Sequence, residues 1–275
     1  MIPEQVKNGI PFYKPKSEIL KKYIDGYYFM SEKEILQSNR YWSFPNNYCI
    51  ATVCQNAHVI SENNKISISS SNHKRLASDF YYNNSFPVEI FYEKPRNEIT
   101  VYFKPLGIHH FLNEIQFEVH KDSLSDFMPY PDYLPEMEKI LNMENEAEKL
   151  TAIEHYWLSK LLDKNFELFE PVLCDIECGT KISEIAKKMN ISRQHFHKLF
   201  FKNIGKSPSD YKKTHRFKSI IESQKKVKDF TGLSYDNSFY DQPHFNKDFK
   251  NLTGINPGSF FKKVDTKDSN FWLFV

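Results

Sequence analysis

The hydrophobic positions follow one period in the first half of the chain and another in the second. Short runs that alternate apolar and polar residues lie at 48–54, 58–60, 65–69, 88–92 and 98–103. Alternation with a period of two is typical of strands that bury one face. Clusters of Asn, Ser and Pro separate the runs. The pattern therefore predicts an antiparallel sheet or a small barrel.

Helical periodicity appears on both sides of these predicted strands. We expect a short helix at 107–112 and longer helices at 133–143 and 146–162. The last of these would bury one face, formed by Ile153, Tyr156, Trp157 and Leu161. A further helical face near the N-terminus could be formed by Leu20, Tyr23, Ile24 and Tyr27.

Residues 192–211 and 241–260 are two copies of one pattern, 49 positions apart. The identical pairs are His195 and His244, Phe196 and Phe245, Lys198 and Lys247, Phe200 and Phe249, Gly205 and Gly254, and Pro208 and Pro257. Each copy begins with a helix-capping residue, Ser192 or Asp241, and places aromatic residues at helical spacing. A glycine suited to a left-handed helix end follows, and then a proline at the start of a new helix. Each copy therefore predicts a helix, a stop and a second helix.

A short amphipathic helix is predicted directly before the first copy. Its apolar residues are Ile182, Ile185, Ala186 and Met189. Asn190 can end it, because asparagine tolerates positive φ better than most residues. The small Ala186 allows two helices to cross closely, so the segment predicts a tight helix-turn-helix. The matching stretch before the second copy, 233–239, is less regular.

These motifs resemble the C-terminal DNA-binding domain of the AraC-type (AraC/XylS) transcription regulators. The resemblance covers about residues 165–263. It rests on the run from Ile185 to Tyr211 and on FYDQPHFNKDFKNLTGINPGSF at 239–260. This sequence departs from the family at Ser234, where alanine is usual, and at Ser238, where glycine is usual. The resemblance implies two helix-turn-helix units joined by a long helix.

The segment FKPLGIHHF at 103–111 resembles the N-terminal sensory domain found in one branch of the same family. Together the patterns predict an α+β protein of two domains. Residues 1–163 would form a β-rich domain with flanking helices, which senses an effector or mediates dimerisation. Residues 164–275 would form the all-α DNA-binding domain.

The net charge of +2 is unevenly distributed. Residues 1–163 carry 17 basic and 22 acidic groups, whereas residues 164–275 carry 20 and 13. Between 181 and 263 the counts are 18 and 7, a net charge of +11 in the span that contains both copies. Such an excess favours a polyanionic partner, and with the repeat it predicts double-stranded DNA.

No catalytic or metal-binding pattern is evident. His109, His110 and His120 do not have the spacing of metal ligands, and no nucleophile elbow or phosphate-binding glycine loop occurs. The sequence therefore favours a protein that is not an enzyme and has no cofactor. The cysteines at 49, 54, 174 and 178 are expected to be buried thiols. Neither a leader segment nor an apolar run of about 18–20 residues is present, so we expect a cytoplasmic protein with no membrane partner.

Helix geometry selects the candidate DNA-binding residues. With Phe196 and Phe200 turned inward, the exposed face of the first recognition helix should carry Arg193, Gln194, His197 and Lys198. The same register selects Gln242, His244, Asn246 and Lys247 in the second copy. On the joining helix, Lys212, Lys213 and Arg216 are suited to phosphate contacts. His195 and His244 are also candidates for packing against the neighbouring phenylalanine.

Two functions remain open from the sequence. One is a sequence-specific regulator whose first domain binds a small-molecule effector or forms a homodimer. The other is an architectural or accessory DNA-binding protein whose first domain only mediates self-association.

Overall fold

The computed structural model describes most of the chain in several segments. The described residues are 5–7, 10–32, 39–71, 75–82, 84–94, 96–120, 125–164, 166, 169–223, 242–263 and 272–274. They form two compact units. Unit 1 comprises Met1–Arg40, Tyr48–Tyr82 and Glu89–Lys164, and unit 2 comprises Tyr41–Asn47, Asn83–Val88 and Asn165–Val275. Two short segments of the N-terminal half therefore belong to the second unit.

Unit 1 is organised around a six-stranded antiparallel sheet. Its order is β1-β2-β3-β10-β5-β8. The strands are β1 (Gln5–Lys7), β2 (Ile10–Tyr13), β3 (Ile24–Met30), β5 (Cys49–Gln55), β8 (Leu76–Tyr81) and β10 (Glu98–Phe103). The central strand β10 pairs with β3 on one side and β5 on the other.

Three further strands complete the β-structure of unit 1. They are β6 (Ala57–Glu62), β7 (Lys65–Ser70) and β9 (Val88–Tyr92). β7 pairs antiparallel with β6 and parallel with β9. Every strand predicted from the period-two pattern is present, and the α+β fold class is confirmed.

The helices of unit 1 cover one face of the sheet. They are α1 (Leu20–Tyr23), a 3-10 turn (Gly107–His110), α2 (Glu114–His120), α3 (Tyr133–Leu141) and α4 (Glu146–Ser159). Ile153, Tyr156 and Trp157 of α4 are buried in the main hydrophobic core, as their spacing predicts. The predicted helical face through Tyr27 is wrong beyond Tyr23. From Ile24 onward the chain is β-strand, because pairing with β10 outweighs the local helical spacing.

The opposite face of the sheet contains a buried row of polar side chains. Glu98 is 1% exposed and accepts hydrogen bonds from the hydroxyls of Tyr28 at 2.5 Å, Tyr92 at 2.7 Å and Thr100 at 3.0 Å. The hydroxyl of Thr100 also contacts that of Thr52 at 2.9 Å, and Thr52 pairs across the strands with Asp79. Two carboxyl groups therefore lie inside unit 1.

Burial raises the pKa of both carboxyl groups. For Asp79 the pKa rises to about 7, mainly through desolvation and to a smaller extent through the nearby charges of Glu98 and Asp126. For Glu98, desolvation also raises the pKa, although the hydrogen bonds from the three hydroxyls oppose the rise. Both groups are therefore more easily protonated in the folded protein than in the unfolded chain.

Unit 2 consists mainly of helices. They are α5 (Glu170–Glu177), α6 (Ile182–Lys188), α7 (Arg193–Ile204), α8 (Pro208–Ser223), α9 (Gln242–Thr253) and α10 (Pro257–Lys263). A short strand pair, formed by β4 (Asn39–Ser43) and β11 (Trp272–Phe274), is also present. None of the helices that the structure describes is long and apolar enough to span a membrane.

An aromatic cluster joins the segment 41–47 to the helices of unit 2. Phe44 is 4% exposed, and its ring centroid lies 5.0 Å from that of Phe260 and 6.1 Å from that of Phe217. Phe249 packs against both of those rings. A fragment that begins at residue 164 lacks Phe44, so its helices would lose part of their core.

The cysteine prediction is correct for one pair and wrong for the other. Cys49 and Cys54 are buried. Cys174 and Cys178 are exposed, and their sulfur atoms lie 3.9 Å apart. A spacing of four residues places both thiols on the same side of a helix, which is why the two sulfur atoms lie close together.

We predict that Phe44→Ala lowers the free energy of unfolding of unit 2 by about 3–5 kcal/mol, because it removes a buried aromatic ring and leaves a cavity. Chemical denaturation of the full chain measures the change. Phe86→Ala is the matched control. Phe86 lies in 83–88, the other segment of the N-terminal half that belongs to unit 2, but its side chain is 63% exposed. The control should change stability by no more than about 0.5 kcal/mol. An unchanged unfolding midpoint for Phe44→Ala would contradict the packing of its ring in the aromatic cluster.

We also predict that unit 1 loses stability as the pH rises from about 4 to about 7. In this window the folded state holds protons on Asp79 and Glu98 that the unfolded chain releases. The proton on Asp79 alone lowers the free energy of unfolding by roughly 4 kcal/mol as the pH rises. Urea unfolding followed by tryptophan fluorescence, to which Trp157 of unit 1 contributes, measures it. Asp79→Asn should flatten the profile, whereas Asp163→Asn, at an exposed position, should not. Superimposable profiles for wild type and Asp79→Asn would refute the assignment.

Candidate nucleic-acid interface

Helices α6 and α7 form the predicted helix-turn-helix. Asn190 in the turn has φ 54°, as expected for an asparagine that ends a helix. The hydroxyl of Ser192 accepts a hydrogen bond from the backbone N–H of His195 at 3.1 Å and so caps α7. Ile185 and Ala186 of α6 are buried, which agrees with a close crossing of the two helices.

Burial of three apolar side chains fixes the rotation of α7 about its axis. Phe196 and Phe200 are 0% exposed and Ile204 is 7% exposed. The ring of Phe200 packs edge-on against Tyr211 at 5.6 Å, which anchors α7 to α8. The opposite side of α7 must therefore face away from the core.

The four residues predicted to read DNA from α7 are all exposed. They are Arg193, Gln194, His197 and Lys198. His195 is exposed as well, so its predicted packing role is wrong. Adjacent helical residues point about 100° apart, so Phe196 enters the core and His195 beside it does not.

Helix α7 ends, and helix α8 begins, at the residues that the sequence predicts. Gly205 has φ 75°, and α8 begins at Pro208. Between them, Lys206 is only 4% exposed, and its ammonium group donates to the carbonyl oxygens of Asn46 at 2.5 Å and Asn84 at 2.9 Å. These bonds satisfy a buried charge that would otherwise be costly. They also hold both recruited segments, 41–47 and 83–88, beside the end of the recognition helix.

The three predicted phosphate-binding residues of α8 differ in their surroundings. The ammonium group of Lys212 donates to the carbonyl oxygens of Gly179 at 2.7 Å and Thr180 at 3.1 Å, and burial lowers its pKa. Burial also lowers the pKa of Arg216, against the opposing charge of Asp248. Lys213 lies 3.6 Å from Asp210, and its side chain is 40% exposed. Lys212 is therefore held by backbone carbonyl oxygens, whereas Lys213 faces only a carboxylate in the ion pairs described.

The second recognition helix, α9, repeats part of this arrangement. Asn246 and Lys247 are exposed, and Phe249 is 2% exposed, as the repeat predicts. Gln242 and His244 lie in α9, but their side chains are outside the described part of the chain. The predicted cap Asp241 and the predicted helix at 233–239 also lie outside the described residues.

Two exposed residues of α7 were absent from the sequence-based set. Lys202 lies one helical turn after Lys198, and Phe201 is 55% exposed. Continuing the helical spacing for one more turn would have identified both.

The described residues contain no group of three or more His, Cys, Asp and Glu side chains arranged to hold a metal ion.

Comparison with known proteins identifies the same part of the chain. Residues 185–263 match the model of a family described as a helix-turn-helix domain. The chain is 29% identical over 136 residues to the Msm operon regulatory protein of Streptococcus mutans serotype c, a match that covers 45% of this chain and 48% of that protein. The chain thus spans about half the length of this curated relative.

Solved structures of ToxT from Vibrio cholerae are also similar to the chain. One crystal form has a TM-score of 0.43 at 13% identity, covering 83% of this chain and 98% of that one. ToxT from strain SCE256 with an unsaturated fatty acid bound has a TM-score of 0.42 at 11% identity, with coverages of 82% and 91%.

Proposed function

We propose that the protein is a sequence-specific DNA-binding transcription regulator of the AraC type, because residues 185–263 match a family described as a helix-turn-helix domain. The observation that carries the proposal is the outward face of α7, where Arg193, Gln194, His197 and Lys198 are exposed together at the N-terminal end of a capped helix. Recognition helices meet base edges with this end. The name of the Streptococcus mutans relative, an operon regulatory protein, supports the same role.

The chemistry of these side chains suggests which of them would contact bases and which could also contact phosphate groups. Gln194 can form two hydrogen bonds with adenine, and His197 can donate to or accept from a purine edge. Arg193 and Lys198 can reach guanine or a phosphate group. The net charge of +11 between residues 181 and 263 would supply the sequence-independent part of the affinity.

The second helix would enter the next major groove, about 34 Å along the duplex. Asn246 and Lys247 are its exposed candidates, and Gln242 and His244 remain predictions at its N-terminal end. On α8, we assign the phosphate contact to Lys213 first. Lys212 and Arg216 would contribute less, because Lys212 is held by two carbonyl oxygens and Arg216 is half-buried.

For unit 1 we propose an effector-sensing role. Two carboxyl groups inside a sheet are costly to keep, and perturbed ionisable groups are more frequent at functional sites than elsewhere. Effector binding to unit 1 would change the hydrogen bonding or the protonation of Glu98 and Asp79, which are buried together with the hydroxyls that donate to Glu98. A module that only mediates self-association would not require buried carboxyl groups.

We predict that Gln194→Ala and His197→Ala weaken binding to the preferred site by about 1–3 kcal/mol and barely change binding to random DNA. The preferred site is first obtained by selection from a random duplex pool, and the affinities are then measured by fluorescence anisotropy at one salt concentration. His195→Ala is the control, because His195 is exposed on the same helix but about 100° from Gln194. Equal losses on both DNAs would show that these residues contact the DNA backbone and not the base edges.

We predict that an effector raises the melting temperature of the full chain and changes its affinity for the selected DNA site by about 1–3 kcal/mol. A metabolite panel in a thermal-shift assay identifies it, and Glu98→Gln should abolish the response. Glu62→Gln, at an exposed position, is the control. Concentration-dependent dimers in sedimentation, with no metabolite that stabilises the protein, would instead favour the architectural role.

A further inference from the structure

Phe201 is an apolar residue on the polar side of the recognition helix. The neighbouring aromatic residues of α7, Phe196 and Phe200, are fully buried, whereas Phe201 is 55% exposed. Lys198 and Lys202, close to it along the helix, are exposed too. A large apolar side chain in this setting is not part of the core of unit 2.

Helix geometry places Phe201 in line with the proposed base readers. It follows Gln194 by seven residues, which is nearly two complete turns, so the two side chains point in directions only about 20° apart. Along the axis they are separated by about 10 Å, roughly the rise of three base pairs. Lys198 lies between them on the same side. If α7 follows the major groove with Gln194 on one base, Phe201 faces the bases a few steps away.

The surroundings of Phe201 favour DNA over a protein as its partner. Lys198 and Lys202 flank it, and the span 181–263 has a net charge of +11. A polyanion fits such a surface. Of the four bases, only thymine presents an apolar group in the major groove, its 5-methyl group. Cytosine has a hydrogen at the same position, so an apolar contact there discriminates between the two pyrimidines.

We propose that Phe201 packs against the 5-methyl group of a thymine and makes α7 selective for that base. The proposal rests on the proposed DNA-binding function and names a specificity contact within it. Removing one buried methyl group from water corresponds to roughly a fourfold gain in affinity. The contact would therefore adjust specificity, while the polar side chains supply the main part of base recognition.

The test uses the full chain and a DNA site selected from a random duplex pool. Each thymidine of the site is replaced in turn by deoxyuridine, which pairs with adenine in the same way and lacks only the methyl group. Wild-type protein should lose roughly fourfold in affinity at one position. Phe201→Ala should lose the same factor on the thymine site and be insensitive to deoxyuridine at that position.

Two variants serve as controls. Phe201→Leu retains an apolar side chain and should keep most of the sensitivity to the methyl group. Lys202→Ala should weaken binding to the thymine and deoxyuridine sites by the same factor. Thermal melting of each variant checks that the fold is intact, which we expect because Phe201 is exposed.

The outcomes separate this inference from the function on which it rests. If wild-type protein binds the selected site equally well with deoxyuridine at each thymidine position, the inference is overturned. The proposed function as a regulator would still stand. So would a Phe201→Ala variant that binds both DNAs as tightly as wild type, since Phe201 would then serve another partner. If selection enriches no sequence at all, the proposed function and the inference fail together.

Discussion

The burial of Phe196 and Phe200 is the constraint on which the proposed interface depends. Both rings are fully buried, and Phe200 packs against Tyr211 of the next helix. Once these two positions face inward, the rotation of α7 is set, and Gln194, Lys198 and Phe201 must face outward. A recognition helix that could rotate about its axis would present no fixed set of side chains to DNA. Packing on the inner side of α7 therefore determines which side chains its outer side exposes.

Unit 2 depends on parts of the chain far from its helices in sequence. Phe44 contributes a ring to the aromatic cluster around Phe217 and Phe260, and Lys206 bonds to the carbonyl oxygens of Asn46 and Asn84. Lys206 follows directly after the end of α7. The two recruited segments are continuous in sequence with strands of unit 1, because 41–47 precedes β5 and 83–88 connects β8 to β9.

Unit 1 combines an aromatic core on one face of its sheet with buried carboxyl groups on the other. The core contributes stability through apolar burial. The carboxyl groups act in the opposite direction, since desolvation favours their protonated forms, and the hydroxyls around Glu98 offset only part of the cost. A sheet built for stability alone would have apolar residues at these positions.

The sequence alone determined the features that depend on neighbouring residues. Caps, left-handed turns and aromatic spacing identify α6, α7 and the start of α8, and alternation identifies β5, β6, β7, β9 and β10, because these signals act within a few residues. The exposed set on α7 follows from the same local rule. Only the tertiary structure decided the features that depend on distant residues. It placed Ile24–Met30 in a sheet, brought residues 41–47 and 83–88 into unit 2, and joined Lys212 to the carbonyl oxygens of Gly179 and Thr180. Such contacts form between residues far apart along the chain, and no local pattern encodes which distant partner a strand, a phenylalanine or a lysine will meet.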